Sequence, residues 1–155
     1  MILEGSQAPS FNLPNQNDEK ISSEALSGKP FIIFFYPRDN TSGCTKENID
    51  FNTMKSSFDD LGITLIGVSR DSIKSHDKFA TKFELNFSLL ADTEEVMCKD
   101  YNVLVEKSMY GKKYMGIERS TFLVGKNGEV LKCWHKVKVP GHVEDVLKSA
   151  QNLLG

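Results

Sequence analysis

The sequence predicts an α/β protein in which helices flank a mixed central sheet. Two apolar runs, residues 31–35 and 63–68, have the length and composition of buried strands, and each precedes a segment with helical spacing of apolar residues. A hairpin pattern and a final amphipathic segment over residues 143–154 complete the chain. Strands that alternate with helices favour parallel pairing, and a hairpin adds antiparallel strands. With 155 residues the chain is long enough for one domain, which we expect to span residues 1–155.

The first elements lead to a strand that ends at Pro37. Residues 7–14 predict a short edge strand because prolines bound it. Residues 21–26 predict one short helix before a Gly-Lys-Pro turn. The apolar run Phe31–Phe35 predicts a strand buried on both faces, and Pro37 ends it because proline has no N–H to donate to a sheet. The next segment, which reaches Leu61, has mostly helical spacing and predicts a helix.

The middle of the chain repeats this order. After the second buried strand, Asp71 or Ser72 can cap a helix that runs to about Phe83. A short strand over residues 87–90 and a short helix over residues 94–101 follow. This repetition is what predicts parallel strands in the sheet.

The last third of the chain contains a loop, a hairpin and the final helix. Residues 105–118 are basic, punctuated by glycine and without periodicity, and they predict a loop. Residues 121–124 and 130–137 predict two strands joined around Asn127-Gly128, because Asn-Gly favours a hairpin turn. These strands supply the antiparallel part of the sheet.

Composition excludes several classes of partner and location. The formal net charge of −2 gives no electrostatic reason to expect binding to nucleic acid or to an acidic membrane. The longest apolar run is too short to span a bilayer. The first residues, Met1–Gly5, lack the basic start and apolar centre of a secretory signal. We therefore expect a cytoplasmic protein.

The cysteines and histidines give no indication of a disulfide framework or a metal site. The chain has three cysteines and no CxxC motif, which disfavours both a disulfide-stapled fold and a zinc site. His76, His135 and His142 are scattered without the spacing of metal ligands, so we expect surface or capping roles for them. Trp134 is expected to be a packing residue.

One cysteine has a sequence context that favours chemistry. Thr41, Ser42 and Gly43 can form a turn after Pro37, so that Cys44 falls at or within the first turn of a helix. A thiol there lies near unpaired backbone N–H groups and the positive end of the helix dipole. Both favour the thiolate, which is the nucleophilic form of cysteine.

The residues around Cys44 resemble the active site of peroxiredoxins, and more narrowly that of the PrxQ group, also called bacterioferritin comigratory protein. The resemblance covers nearly the whole chain and is carried by Gly5–Pro9, Phe35–Thr41, Gly43–Thr45, Glu47, Gly116–Leu123 and Val137–His142. It implies a thioredoxin-like fold and a thiol-dependent, antioxidant peroxidase that reduces hydrogen peroxide and organic hydroperoxides. It implies no cofactor, and a monomer or a weak dimer.

The resemblance also implies roles for the charged residues. The Cys44 thiolate attacks a peroxide oxygen and becomes a sulfenic acid, and water or an alcohol leaves. Arg119 keeps the thiolate charged and stabilises the charge that develops on the leaving oxygen. Glu47 orients Arg119 through a charge-assisted bond. The alternative for Glu47 is a simpler interaction with the helix dipole.

Uncharged groups are expected to position the peroxide. The Thr41 hydroxyl is expected to hydrogen-bond both the sulfur and the peroxide, although it can also simply cap the helix. The backbone N–H groups of Gly43 and Cys44 are expected to bind the peroxide, and Pro37 to shield the pocket from water.

The sequence departs from the group at the second cysteine. Many relatives resolve the sulfenic acid with a cysteine at the position of Ile49, and another position used lies within residues 71–83, which contain none. Cys98 is a candidate resolving thiol, although a half-buried helix position without catalytic duty is favoured. Cys133 alternates with Leu131 on one side of the last strand and is expected to be buried. The sequence therefore favours a one-cysteine mechanism.

The reductant and the biological role have alternatives. Thioredoxin is the reductant that the resemblance implies, and the missing resolving thiol favours glutathione with glutaredoxin. One rival function is a thioredoxin-fold binding or holdase protein with an incidental cysteine. Another is a peroxide sensor that passes its oxidation to a partner protein through a mixed disulfide.

Overall fold

Strands and helices alternate along most of the chain in the computed structural model, which describes residues 2–155. The strands are β1 (Asn12–Pro14), β2 (Lys20–Ser22), β3 (Phe31–Phe35), β4 (Thr64–Ser69), β5 (Ser88–Ala91), β6 (Leu104–Met109), β7 (Lys112–Ile117), β8 (Ser120–Val124) and β9 (Val130–Trp134). The helices are α1 (Ser42–Thr53), α2 (Lys55–Asp60), α3 (Ile73–Lys82), α4 (Val96–Asp100) and α5 (His142–Leu154). None of these helices is long and apolar enough to cross a membrane.

A five-stranded sheet in the order β5-β4-β3-β8-β9 forms the centre of the fold. β3 pairs in parallel with β4 and antiparallel with β8, while β4 pairs in parallel with β5. The hairpin predicted around Asn127-Gly128 joins β8 to β9, and Gly128 adopts a φ of 78° there. The prediction of a mixed central sheet flanked by helices is confirmed.

The two faces of the sheet carry two separate apolar cores. Side chains alternate along β3, so that Ile32 and Phe34 belong to the first core, and Ile33 and Phe35 to the second. Helices α1, α2, α3 and α5 contribute to the first core, whereas α4 and the β1–β2 pair contribute to the second. All five residues of β3 are buried, which explains why the strand contains no polar residue.

A side chain covers the outer edge of β5. Gln16 Nε2 donates to the Phe87 carbonyl across 2.9 Å, and Gln16 Oε1 accepts from the Leu89 N–H across 2.8 Å. These two bonds are the ones that a neighbouring strand would make with β5. On the opposite edge, residues 5–7 bond to the start of β9.

Two predictions near the N-terminus are corrected by this pairing. The edge strand predicted over residues 7–14 is limited to β1. The helix predicted over residues 21–26 is instead β2, which pairs antiparallel with β1, followed by a 3-10 turn at Glu24–Leu26. A segment this short gains more from pairing with β1 than from an isolated helical turn.

The helix predicted to reach Leu61 is divided at Met54 into α1 and α2. The Thr53 hydroxyl donates to the Ile49 carbonyl across 2.9 Å at the end of α1. Such a bond from a hydroxyl back to the preceding turn tends to bend helices, and it lies directly before the point of division.

The loop predicted over residues 105–118 is wrong, because β6 and β7 form an antiparallel hairpin. Tyr110 and Gly111 make its two-residue turn, with φ angles of 52° and 79°. Two positive φ angles define the type I′ turn that joins twisted strands best. Most of the hairpin is exposed, so its strands lack the apolar alternation by which a half-buried strand is predicted.

The last strand ends at Trp134, earlier than predicted, and contains a bulge. Val130 and Lys132 pair with consecutive residues of β8, which leaves Leu131 without a partner there. Leu131 consequently packs against the first core and Cys133 against the second. The expectation that they share one side of the strand is wrong.

Candidate active site

Cys44 lies in the first turn of α1, as the sequence predicts, and directly follows the loop that leaves β3. Its side chain belongs to the first core and is 1% exposed. The N–H groups of a first helical turn have no intrahelical acceptors, so those of Gly43 and Cys44 are available to a ligand. The helix dipole and these N–H groups both favour negative charge at the sulfur.

Arg119, between β7 and β8, brings a cation to this sulfur. Its Nη2 donates to Cys44 Sγ across 3.5 Å, and its Nη1 donates to Glu47 Oε1 across 2.7 Å. Burial disfavours the charged guanidinium, but Glu47 and the Cys44 sulfur outweigh it, and the pKa of Arg119 is raised. The positive charge is therefore held on Arg119 beside Cys44.

Glu47 is fully buried and only partly satisfied. Burial raises the pKa of its carboxyl to about 7, and the ion pair with Arg119 limits this rise. Its Oε2 has no hydrogen-bond partner among residues 2–155. A carboxyl in this state can take up a proton near neutral pH.

The uncharged residues predicted for the site lie around this pair. The Thr41 hydroxyl donates to the Arg38 carbonyl across 2.9 Å, and it neither caps α1 nor bonds to the sulfur. A Cβ atom on Gly43 would lie 3.2 Å from Arg119 Nη2, so glycine permits the close approach of the guanidinium. Pro37 and Thr41 together line a cleft beside the site.

Sequence reasoning missed a second buried pair in the loop before Cys44. Asp39 Oδ2 accepts from His76 Nδ1 across 2.8 Å and from the Ser75 hydroxyl across 2.8 Å, while Asp39 Oδ1 accepts from the Tyr36 hydroxyl across 2.7 Å. His76 Nε2 bonds to the Leu90 carbonyl across 2.9 Å. Both ring nitrogens of His76 are therefore bonded to protein groups, one to the Asp39 carboxyl and one to a main-chain carbonyl.

The expectation of surface or capping roles is wrong for His76 and His142, which are buried, and only His135 is exposed. A signal for His76 exists, since it lies three and seven residues before Phe79 and Phe83 on the apolar side of α3. Asp39, Asp71 and His76 converge within 4.8 Å, but both ring nitrogens are already bonded to protein.

His142, at the start of α5, is neutral near neutral pH. Burial lowers its pKa to about 4, although Asp145 opposes this effect. Its Nε2 and the Thr121 hydroxyl are hydrogen-bonded across 2.8 Å. Trp134 Nε1 donates to Asp145 Oδ2 across 2.9 Å, so this tryptophan links β9 to α5 as well as packing against the first core.

The two remaining thiols lie on the other side of the sheet. Cys98 is fully buried in the second core, rather than half-buried, and Cys133 packs against that core with partial exposure. Burial, reinforced by Asp92, raises the pKa of the Cys98 thiol far above its usual range. Burial and the nearby Glu4 raise the pKa of Cys133. Neither thiol contacts Cys44.

A cleft of about 810 Å³ lies between the loop before α1 and the β6–β7 hairpin. Two residues that the sequence predicts for the active site, Pro37 and Thr41, contribute to its lining. Its apolar side chains come mainly from the hairpin. Its basic side chains are Arg38, Arg70, Lys107, Lys112 and Lys113.

Comparisons with known proteins agree with the resemblance seen in the sequence. Residues 5–132 match the AhpC/TSA family. The putative peroxiredoxin Bcp of Coxiella burnetii is 45% identical over 143 residues, which cover 92% of this chain and 95% of the relative. Peroxiredoxin Bcp of Xanthomonas campestris is 46% identical over 142 residues, which cover 90% of this chain and 89% of the relative.

Solved structures show the same relationship. Peroxiredoxin Q of Xanthomonas campestris superimposes with a TM-score of 0.90 at 43% identity and covers 94% of this chain and 92% of its own. A PrxQ mutant of Xylella fastidiosa superimposes with a TM-score of 0.95 at 34% identity over 100% of this chain and 99% of its own. The thioredoxin-like fold expected from the sequence is confirmed. The chain therefore belongs to the AhpC/TSA family and, within it, to the peroxiredoxins of the Bcp or PrxQ group.

Proposed function

We propose that this peroxiredoxin reduces hydrogen peroxide and organic hydroperoxides with Cys44 as its peroxidatic thiol, and that it serves antioxidant defence. The single observation that supports this most strongly is the 3.5 Å contact between Arg119 Nη2 and Cys44 Sγ at a helix N-terminus. A cation and free N–H groups beside a sulfur favour nucleophilic attack by that sulfur. A structure of the Xanthomonas campestris relative is described in terms of its alkyl peroxide reduction activity, which agrees with this substrate class.

The oxidative step needs only groups that meet at Cys44. The thiolate attacks one peroxide oxygen, an S–O bond forms, and the O–O bond breaks. The sulfur is oxidised to sulfenic acid, and the other oxygen leaves with the electron pair and takes a proton to become water or an alcohol. Arg119 stabilises both the thiolate and the leaving oxygen, and Glu47 fixes the guanidinium in place.

Thr41 and the helix N–H groups position the peroxide in this mechanism. Because the Thr41 hydroxyl proton is directed to the Arg38 carbonyl, the Thr41 oxygen is left to accept a hydrogen bond from the peroxide. The N–H groups of Gly43 and Cys44 donate to its oxygens. Pro37, which lines the cleft, shields the peroxide from water in this mechanism.

A one-cysteine cycle follows from the positions of the other thiols. The central sheet separates Cys44 from Cys98 and Cys133, and the raised pKa of both thiols makes them poor nucleophiles. The position used for resolution in many relatives is Ile49. An external thiol therefore reduces the sulfenic acid, with thioredoxin or glutathione with glutaredoxin as candidate donors.

The proposed enzyme acts as a monomer in the cytoplasm. All the groups just named come from one chain, which supports a monomer as the active unit. Thiol reductants are maintained in reducing compartments, which supports a cytoplasmic location.

Mass spectrometry after one equivalent of hydrogen peroxide tests the proposal, with a sulfenic-acid trap and peptide mapping. We expect one trapped adduct on Cys44, with Cys98 and Cys133 unmodified. The variant C98S with C133S is the matched control and is expected to form the same adduct. A Cys44–Cys98 disulfide would overturn the one-cysteine cycle, and an unmodified Cys44 would overturn the peroxidase assignment of this residue.

A further inference from the structure

Cys44 is difficult to reach for a thiol carried on another protein. Its side chain is 1% exposed, and the Arg119 side chain beside it is 16% exposed. The resolving sulfur must approach in line with the S–O bond, and the burial of Cys44 leaves little room for a thiol carried on another protein. A small thiol can instead bind in the neighbouring cleft, which Pro37 and Thr41 of the loop before Cys44 help to line.

The cleft concentrates positive charge in a protein whose net charge is negative. Five of its lining residues are basic and none is acidic, whereas the whole chain carries a formal net charge of −2. Arg70 pairs with Glu95 at 2.9 Å, and Lys113 lies 3.5 Å from Glu106. The other three basic residues, at 38, 107 and 112, have no carboxylate within 4.0 Å among residues 2–155.

The field of this cleft reaches the reacting sulfur. Burial lowers the pKa of Lys107, Arg119 lowers it further, and the Cys44 sulfur opposes both effects. Lys107 Nζ also donates to the Ile117 carbonyl across 2.7 Å, which holds its charge at the inner end of the cleft. An anion drawn into the cleft is thus drawn towards Cys44.

We propose that this basic cleft binds small anionic thiols and selects them as the direct reductants of oxidised Cys44. The proposal rests on the one-cysteine cycle proposed above. The cleft volume of about 810 Å³ is suited to a small molecule. The anionic group, a carboxylate or a sulfonate, lies among the lysines of the hairpin, while the thiol reaches the sulfenic acid.

The chemistry of this step balances with two thiol molecules. The sulfur of the first attacks Cys44, an S–S bond forms, the S–O bond breaks, and the oxygen leaves as water after taking a proton. The second thiolate attacks the sulfur of the bound thiol, so that Cys44 leaves as thiolate. Two thiols are oxidised to one disulfide, and the sulfenic acid is reduced by two electrons.

A series of small thiols that differ in charge tests this selection. The probes are 2-mercaptoethanesulfonate, 2-mercaptoethanol and cysteamine, and the measurement is the rate constant for loss of the Cys44 sulfenic acid per unit of thiolate. We expect the anionic thiol to react about tenfold faster than the neutral one, and the cationic thiol to react slowest. The advantage should shrink as salt is added.

A matched pair of variants locates the effect. K112Q with K113Q should abolish most of the rate advantage of the sulfonate thiol. In the same double variant, hydrogen peroxide, which is uncharged, should oxidise Cys44 at the wild-type rate. The control, K29Q with K126Q, removes two exposed lysines at the opposite end of β3 and should retain the full advantage.

The outcomes separate this proposal from the one on which it rests. Failure of hydrogen peroxide to oxidise Cys44 would overturn the peroxidase assignment. Normal oxidation, followed by reduction at rates independent of thiol charge, would overturn only the selection by the cleft. A third outcome is that K112Q with K113Q reacts with all three thiols at wild-type rates but is oxidised more slowly than the wild type by a peroxide that bears a carboxylate. This outcome would show that the cleft binds the peroxide rather than the thiol.

Discussion

Two buried carboxyl groups lie on either side of Cys44 in the chain, and each bonds to a basic side chain from another element. Asp39 precedes α1 and meets His76 of α3, whereas Glu47 lies within α1 and meets Arg119 before β8. The Asp39 carboxylate accepts three hydrogen bonds. The Glu47 carboxylate accepts one, from Arg119, and its second oxygen has no partner among residues 2–155.

This difference distinguishes the Asp39–His76 pair, which holds the loop, from the Glu47–Arg119 pair, to which the proposed mechanism gives a part in the reaction. A carboxylate with every donor in place is fixed in one geometry and one charge state, and its loss is costly because its partners are left unpaired. A carboxyl with an unsatisfied oxygen can be protonated, and the charge balance around its partner can then change. We therefore expect changes at Asp39 and His76 to affect stability mainly, and changes at Arg119 and Glu47 to affect reactivity mainly.

The largest expected effect is the loss of stability in H76Q. This change removes the buried ring that bonds both Asp39 and the Leu90 carbonyl, so the free energy of unfolding should fall by about 3–5 kcal/mol in urea titrations. D39N with H76Q removes both members of the pair and should be more stable than H76Q alone. An unchanged urea midpoint in H76Q would contradict the role assigned to this pair.

R119Q should slow the oxidation of Cys44 by hydrogen peroxide by about 10²–10³, because the charge beside the sulfur is lost. Its free energy of unfolding should fall less than that of H76Q, since Glu47 can be protonated when Arg119 is removed. R70Q is the matched control, because it also removes an ion-paired arginine, and it should keep the wild-type rate in stopped-flow measurements. Equal rates for the two variants would remove the distinction between the pairs.

The pH dependence of stability gives a smaller effect at Glu47. Its pKa is raised from 4.5 to about 7 on folding, so between these values the folded chain binds more protons than the unfolded chain. The contribution of Glu47 to the free energy of unfolding is therefore largest below about pH 4.5 and declines, by up to about 3 kcal/mol, as pH rises through about 7.

E47Q should remove this decline. The difference in unfolding free energy between wild type and E47Q should therefore change between pH 4.5 and about 7. E144Q, which removes an exposed carboxylate from α5, is the control and should follow the wild type. A constant difference between wild type and E47Q from acid to neutral pH would show that Glu47 is ionised in both states.

The smallest expected effect concerns the uncharged member of the site. T41V keeps the shape of the side chain but removes the acceptor for the peroxide, which should slow Cys44 oxidation about two- to tenfold. T41S should restore most of the rate. Equal rates in both variants would indicate that Thr41 acts only through its backbone.

Features that depend on a local sequence pattern could be predicted, whereas features that depend on tertiary packing could not. Cys44 and the strand before it are predicted correctly because a long apolar run and a helix start are local patterns. The Asp39–His76 pair is missed because it depends on the packing of α3 against the loop, although the helical phase of His76 indicates burial. The bulge at Leu131 is missed because the alternation of a strand gives no sign of an inserted residue.

The hairpin of β6 and β7 is the most consequential omission. It carries most of the basic cleft, yet both of its faces are largely exposed, so no periodicity marks its strands. The turn residue Gly111 was the available signal, but the non-glycine residue before it, Tyr110, obscured a turn that needs two positive φ angles.

The amide of Gln16 has a consequence for how the folded protein behaves at high concentration. An unpaired row of main-chain groups on an outer strand is a template on which another molecule can add a strand, and repeated addition leads to fibrils. Because Gln16 bonds to the Phe87 carbonyl and the Leu89 N–H, the template on β5 is already occupied from within the chain. Resistance of this peroxiredoxin to aggregation therefore depends in part on a side chain in a loop that belongs to neither the sheet nor the active site.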